Sequence, residues 1–96
     1  MAVVLLTVDF HFPFAQSLKD KRMILRGVKD RTKKFNVSVA EVDHHDLWQR
    51  TALGVSVVST EGYHAKRVLH EVEKLVERWG EVEIIEAELS LHSPED

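Results

Sequence analysis

Eight of the chain's thirteen basic residues fall in one stretch, Ser17–Phe35: Lys19, Lys21, Arg22, Arg26, Lys29, Arg31, Lys33 and Lys34. Only Asp20 and Asp30 oppose them, so the stretch carries +6 in a chain of formal net charge −3, and everything outside it sums to −9. Cations at helical spacing are suited to phosphate, and a row of them follows a nucleic-acid backbone without reading its sequence. On a helix of 100° per residue, Lys19, Arg22, Arg26, Lys29 and Lys33 form a stripe roughly 80° wide that runs about 21 Å along the axis. These five, with Lys21, are the candidate RNA contacts. The competing explanation is an ordinary solvated helix face; the segregation of this charge from an acidic remainder is what weighs against it. Lys21 lands among the apolar positions of the wheel. Either its stem snorkels along the end of the core, or its charge is aimed at a site.

Asp43, His44, His45 and Asp46, with Asp9 and His11, have the donor types of a metal site. Neighbouring histidines on a strand point to opposite sides, however, so the segment reads as a polar connection and no metal is expected. Cysteine is absent, which excludes disulfides, thiolate chemistry and iron–sulfur ligation. The four glycines are isolated, so there is no phosphate-cradling loop. Nothing in the chain points to a catalytic group or a cofactor.

The elements that must carry these residues can be read from periodicity. Val3 to Phe12 alternates with period two, giving a strand that Pro13 ends. Ser17 caps a helix, with Asp20 three positions on, and Leu18, Ile24, Leu25, Val28, Thr32 and Phe35 form its core face. Gly27, in mid-helix, marks a close approach, and Asn36 is a natural left-handed stop. Val37–Asp43 and Ala52–Ser59 are two further strands, joined through the polar and aromatic Asp43–Arg50 segment as a hairpin. Thr60 and Gly62 open a second helix, whose apolar residues run from Ala65 to Trp79 with Gly80 as its cap. In the last strand, Val82 to Leu91, the residues Val82 and Ile84 are out of phase with the rest, which predicts a bulge near Ile84. The order β-α-β-β-α-β is that of a ferredoxin-like α+β fold. Right-handed crossovers give a four-stranded antiparallel sheet of order 4-1-3-2 with both helices on one face. Residues 1–96 are expected to form a single domain. No apolar run reaches the roughly 18 residues of a membrane span, and the apolar start lacks the marks of a signal peptide, so a cytoplasmic protein is expected. The open sheet face, with Thr7, Asp9, Glu86 and Glu88, would repel phosphate. The glycine-flanked arginine loop of acylphosphatases and the paired cysteines of metallochaperones, both found on this architecture, are missing.

The segments SLKDKR (Ser17–Arg22), FNVSVAEVD (Phe35–Asp43) and DLWQRTALGVSVVS (Asp46–Ser59), in this order and spacing, resemble the YlxP-like family of small bacterial proteins, the domain of unknown function 503. The resemblance implies a ferredoxin-like fold. Because the family's genes typically lie beside those for translation initiation factor two and ribosome-binding factor A, it also implies a role near ribosome assembly or translation. It brings no catalytic residues. The residues it carries over are Ser17, Leu18, Lys19, Lys21 and Arg22; Ser38, Ala40 and Glu41; and Asp46, Trp48, Gln49 and Arg50. Glu41, Trp48, Gln49 and Arg50 are therefore candidate partner contacts. From the residues alone, Trp48 is an anchor packed over the sheet or a helix end, and Arg50 pairs with Glu41 across the hairpin. Alternatively, Lys21, Arg22, Gln49 and Arg50 converge on one exposed contact.

The expected function is thus a non-enzymatic RNA-binding or ribosome-associated module, with ribosomal RNA or a pre-ribosomal particle as partner. The alternative is a structural interaction domain that forms a homodimer through the sheet face or an edge strand.

Overall fold

The computed structural model describes residues 1–92. The elements are β1 (Ala2–His11), α1 (Leu18–Lys33), β2 (Ser38–Asp43), β3 (Arg50–Ser59), α2 (Gly62–Glu77) and β4 (Glu83–His92). The alternation in β1 becomes strict alternation of burial: Val4, Leu6, Val8 and Phe10 are buried, and the odd-numbered residues between them are half-buried. β1 lies centrally, antiparallel to β3 on one side and β4 on the other, in the order β2-β3-β1-β4. This is the expected ferredoxin-like sheet, numbered from its opposite edge.

One core fills the space between the sheet and the helices. Val4, Leu6, Val8, Phe10, Leu53 and Val55 meet Leu25 and Val28 of α1 and Ala65, Leu69, Val72 and Val76 of α2. The bulge also occurs where the phase change places it. Asp9 faces Glu86 and Phe10 faces Ile84, so Ile85 is the inserted residue and Ile84 turns toward the core.

The ends of the helices follow local chemistry closely at α1 and less so at α2. Ser17 Oγ accepts the Asp20 amide at 3.1 Å, and the Asp20 carboxylate in turn accepts the amide of Gln16 at 3.0 Å, one residue earlier than in a standard capping box. Asn36 has φ 60°, the left-handed turn expected of it. Phe35 lies beyond the last helical residue, so the helical period no longer applies and its side chain is 36% exposed. At α2 the cap residue is Glu61, whose amide donates to Ser59 Oγ at 3.2 Å. Gly80 is not in the left-handed region, because the helix closes through the ordinary helical backbone of Arg78. Gly27 has the predicted role. A Cβ there would lie 3.2 Å from Cζ2 of Trp79, so the missing side chain lets the indole lie against α1. Arg31, which is not one of the five stripe residues, has its guanidinium 5.7 Å from the centre of the same ring.

Candidate nucleic-acid interface

The five cations of the stripe lie along one side of α1. Lys19, Arg22, Arg26 and Lys33 are exposed and Lys29 is half-buried. Arg22, Arg26, Lys29 and Lys33 line a groove of about 290 Å³ that runs between α1 and the β2 edge and includes Glu41. Among the described residues none of the five makes an ion pair within 4 Å, whereas Lys74 on α2 reaches Glu71 at 3.4 Å. A row of unpaired cations keeps its charge available to an external anion. Asp30 is the one carboxylate of α1 beside it.

Lys21 does not belong to this row. Its side chain is 2% exposed, and Nζ donates to the carbonyls of His44 and Leu47, each at 2.7 Å, with the Glu41 carboxylate at 2.8 Å. All three ammonium hydrogens are thus engaged within the fold, and the group does not snorkel to the surface. The arrangement follows from how the elements meet. The first turn of α1 lies over the end of the sheet where β2 stops, and His44, with φ 63°, turns the chain so that its carbonyl points inward. Burial acts most strongly on the Glu41 carboxyl and pushes its pKa up. Hydrogen bonds from Lys21 and Thr51, with the Lys21 and His45 charges, outweigh this and hold it below its ordinary value.

Arg50 does not pair with Glu41. Glu41 stands opposite Leu53 on the helix side, while Arg50 stands opposite His11 on the open side, so the sheet separates them. Arg50 instead donates two hydrogen bonds, at 3.1 and 2.7 Å, to the carboxylate of Asp9, its diagonal neighbour across β1 and β3. That fork holds the Asp9 pKa below the usual carboxylate range despite partial burial, with help from His44. His44 Nε2 lies 3.8 Å from Asp9 and 3.9 Å from Asp43, whereas the His45 ring turns to the Glu41 carbonyl at 3.2 Å. The two imidazoles diverge. Among the described residues no three His, Asp or Glu side chains are placed to share an ion.

Both depressed carboxyls favour the folded state in their charged forms. Their contribution is complete above the ordinary carboxyl pKa of about 4 and is lost as pH falls through the lower folded values. The urea midpoint should therefore hold from neutrality to about pH 5 and decline steadily below about pH 4. Asp9→Asn and Glu41→Gln should each flatten that decline; a wild-type midpoint unchanged at pH 3 would contradict this assignment.

Gln49 and Trp48 complete the region. The Phe12 amide donates to the Gln49 carbonyl at 2.8 Å, and Gln49 Nε2 donates to the Ala15 carbonyl at 3.3 Å, so Gln49 is a strut between the loop and the β1–α1 connection. Trp48 is not packed over a helix end. It is 49% exposed, beside Leu47 at 50%, in a depression of about 440 Å³ with His11, Asp46, Gln49 and Arg50. Of Lys21, Arg22, Gln49 and Arg50, only Gln49 and Arg50 meet, at the wall of this depression, with Gln49 braced to Ala15 and Arg50 bound to Asp9; Lys21 is interior and Arg22 lies in the groove. Sequence reading singled out Asp9 and His44 only as metal-type donors and missed that Asp9 pairs with Arg50 beside His44; it missed Thr51 altogether, which nothing local distinguished.

Residues 3–89 match the family described as "Protein of unknown function (DUF503)". "Uncharacterized protein YlxP" of Bacillus subtilis (strain 168) is 37% identical over 70 residues, covering 72% of this chain and 76% of that protein. Among solved structures, the de novo designed protein Foldit4 superposes with a TM-score of 0.58 at 9% identity, covering 97% of this chain and 98% of that one. A second designed protein, LFR1 1 "with ferredoxin fold", gives 0.55 at 16% identity over 96% and 84% of the two chains. At such identities these designs support the fold and nothing further. The family match spans both helices and all four strands, and the motifs around Ser17–Arg22 and Asp46–Ser59 lie within it; the chain belongs to the DUF503 family of proteins of unknown function.

Proposed function

We propose that this protein is a non-enzymatic RNA-binding module acting near ribosome assembly or translation, with α1 as its phosphate-contacting face. The observation that carries the reading is the row of Lys19, Arg22, Arg26, Lys29 and Lys33, unpaired among the described residues, the last four of them set along a groove, in a chain that is acidic elsewhere. Such a row attracts a polyanion locally, while the acidic open sheet face disfavours its phosphates. Ser17 is occupied as a helix cap and Lys21 as an internal strut, so in the first turn of α1 it is Lys19 that is left for phosphate. The test is charge reversal at Arg22, Arg26 and Lys29, with RNA affinity followed against salt. A folded variant that binds as wild type would end the reading.

A second reading rests on β4. This edge strand leaves Ile85, Leu89 and Leu91 between 43% and 54% exposed, and a long edge with apolar side chains favours pairing with another strand. On this reading two copies join through β4 into a continuous sheet. Solution scattering at high concentration should then give the mass of a dimer, and Leu89→Lys should return it to that of a monomer. A wild-type monomer throughout would remove self-association.

A further inference from the structure

The loop between β2 and β3 is held in place yet presents large apolar side chains to solvent. Lys21 Nζ fixes the carbonyls of His44 and Leu47, the Leu47 amide closes a turn onto the His44 carbonyl at 3.1 Å, and Phe12 fixes the carbonyl of Gln49. Burial does not explain this order, since Leu47 and Trp48 remain half exposed. What the order accomplishes is to hold an indole at the wall of the 440 Å³ depression. Beside it lies the Arg50 guanidinium, whose plane is set by its two bonds to Asp9.

We propose that this depression receives an unpaired nucleobase of the RNA whose phosphates lie along α1; the proposal rests on that reading of the helix. A base has a flat π-face and a polar edge. Trp48 offers a stacking surface for the face, and His11, Gln49 and Arg50 offer hydrogen-bonding groups to the edge. Asp46, on the same wall, disfavours a phosphate there, so the backbone stays on the cationic row and the base enters the depression. The two sites share one support. Lys21 holds the Leu47 carbonyl, and the next residue, Arg22, is the first cation of the groove. The arrangement selects a single-stranded or bulged segment over a continuous duplex, whose bases are stacked away from such a pocket.

The test uses the intact chain with a single-stranded RNA of about ten nucleotides, a strand of equal length lacking its bases, and a free mononucleotide. The ordinary strand should quench tryptophan emission in wild type, and Trp48→Ala should abolish that quench and weaken binding about tenfold, while Trp48→Phe keeps most of the affinity. The abasic strand should bind wild type and Trp48→Ala alike. Quenching by the mononucleotide that persists when Arg22, Arg26 and Lys29 are reversed would support the pocket independently of the row. If wild type and Trp48→Ala bind both strands equally, the row stands and the nucleobase pocket is overturned. If neither strand binds wild type and the mononucleotide causes no quench, both fail.

Discussion

Replacing Lys21 with methionine should lower the free energy of unfolding by about 3–5 kcal/mol, a large part of the roughly 5–15 kcal/mol that holds a domain of this size together. The size follows from what the substitution leaves behind. Methionine fills most of the volume of the stem but supplies no hydrogens, so the carbonyls of His44 and Leu47 lose their donor. The Glu41 carboxylate, with only 17% of its side chain exposed, keeps Thr51 but loses its countercharge. An unpaired buried charge costs more than the intact pair contributes, because the desolvation of the remaining ion is no longer offset. Replacing both Lys21 and Glu41 with apolar residues should therefore recover part of the loss, giving non-additive unfolding energies in a double-mutant cycle. Urea unfolding measures all three variants. A single Lys21→Met variant within about 1 kcal/mol of wild type would mean that the ammonium is not the strut described here.

Reversing Arg22, Arg26 and Lys29 to glutamate should lower RNA affinity at least about a hundredfold at low salt while leaving the fold intact. Each phosphate contact contributes roughly 0.7 to the salt exponent on a single strand and 0.9 on a duplex, so five contacts give a wild-type slope of about −3.5 to −4.5. Removing three should leave a slope no steeper than about −2. Stability should change little, since Arg22 and Arg26 are exposed and, among the described residues, none of the three forms an ion pair. An equal charge change at Lys66 and Arg67 on α2 and Arg78 at its C-cap is the control, because there the cations are mixed with Glu71, Glu73 and Glu77. Equal losses from the two triple variants would point to net charge and away from a localised site.

The parts of this architecture that were legible before any coordinates are those whose cause lies within a few residues. The two-residue period of β1 placed Val4, Leu6, Val8 and Phe10 on the buried face, and the phase slip before Ile85 marked the bulge. Ser17 and Asn36 bounded α1 through their own side-chain and backbone preferences. The cationic stripe needed only the helical repeat, because an outward face is defined once the inward one is known.

The role of Lys21 was beyond that reach. The helical period put it on the inner side but did not name its partners, which lie 23 and 26 residues away on a loop with no period of its own. Arg50 posed a related difficulty. It has candidate carboxylates at Glu41 and Asp9, and strand register alone decides which lies on its side of the sheet. Trp48 is the plainest case: an aromatic side chain is expected to be buried, and whether a loop tryptophan packs or faces solvent depends on how the loop is anchored. Short-range patterns therefore set the elements and the basic face of α1. The buried ammonium that seats the β2–β3 loop, and the exposed indole that this loop carries, exist only where distant segments meet, because hydrogen-bond partners are chosen by three-dimensional proximity and not by spacing along the chain.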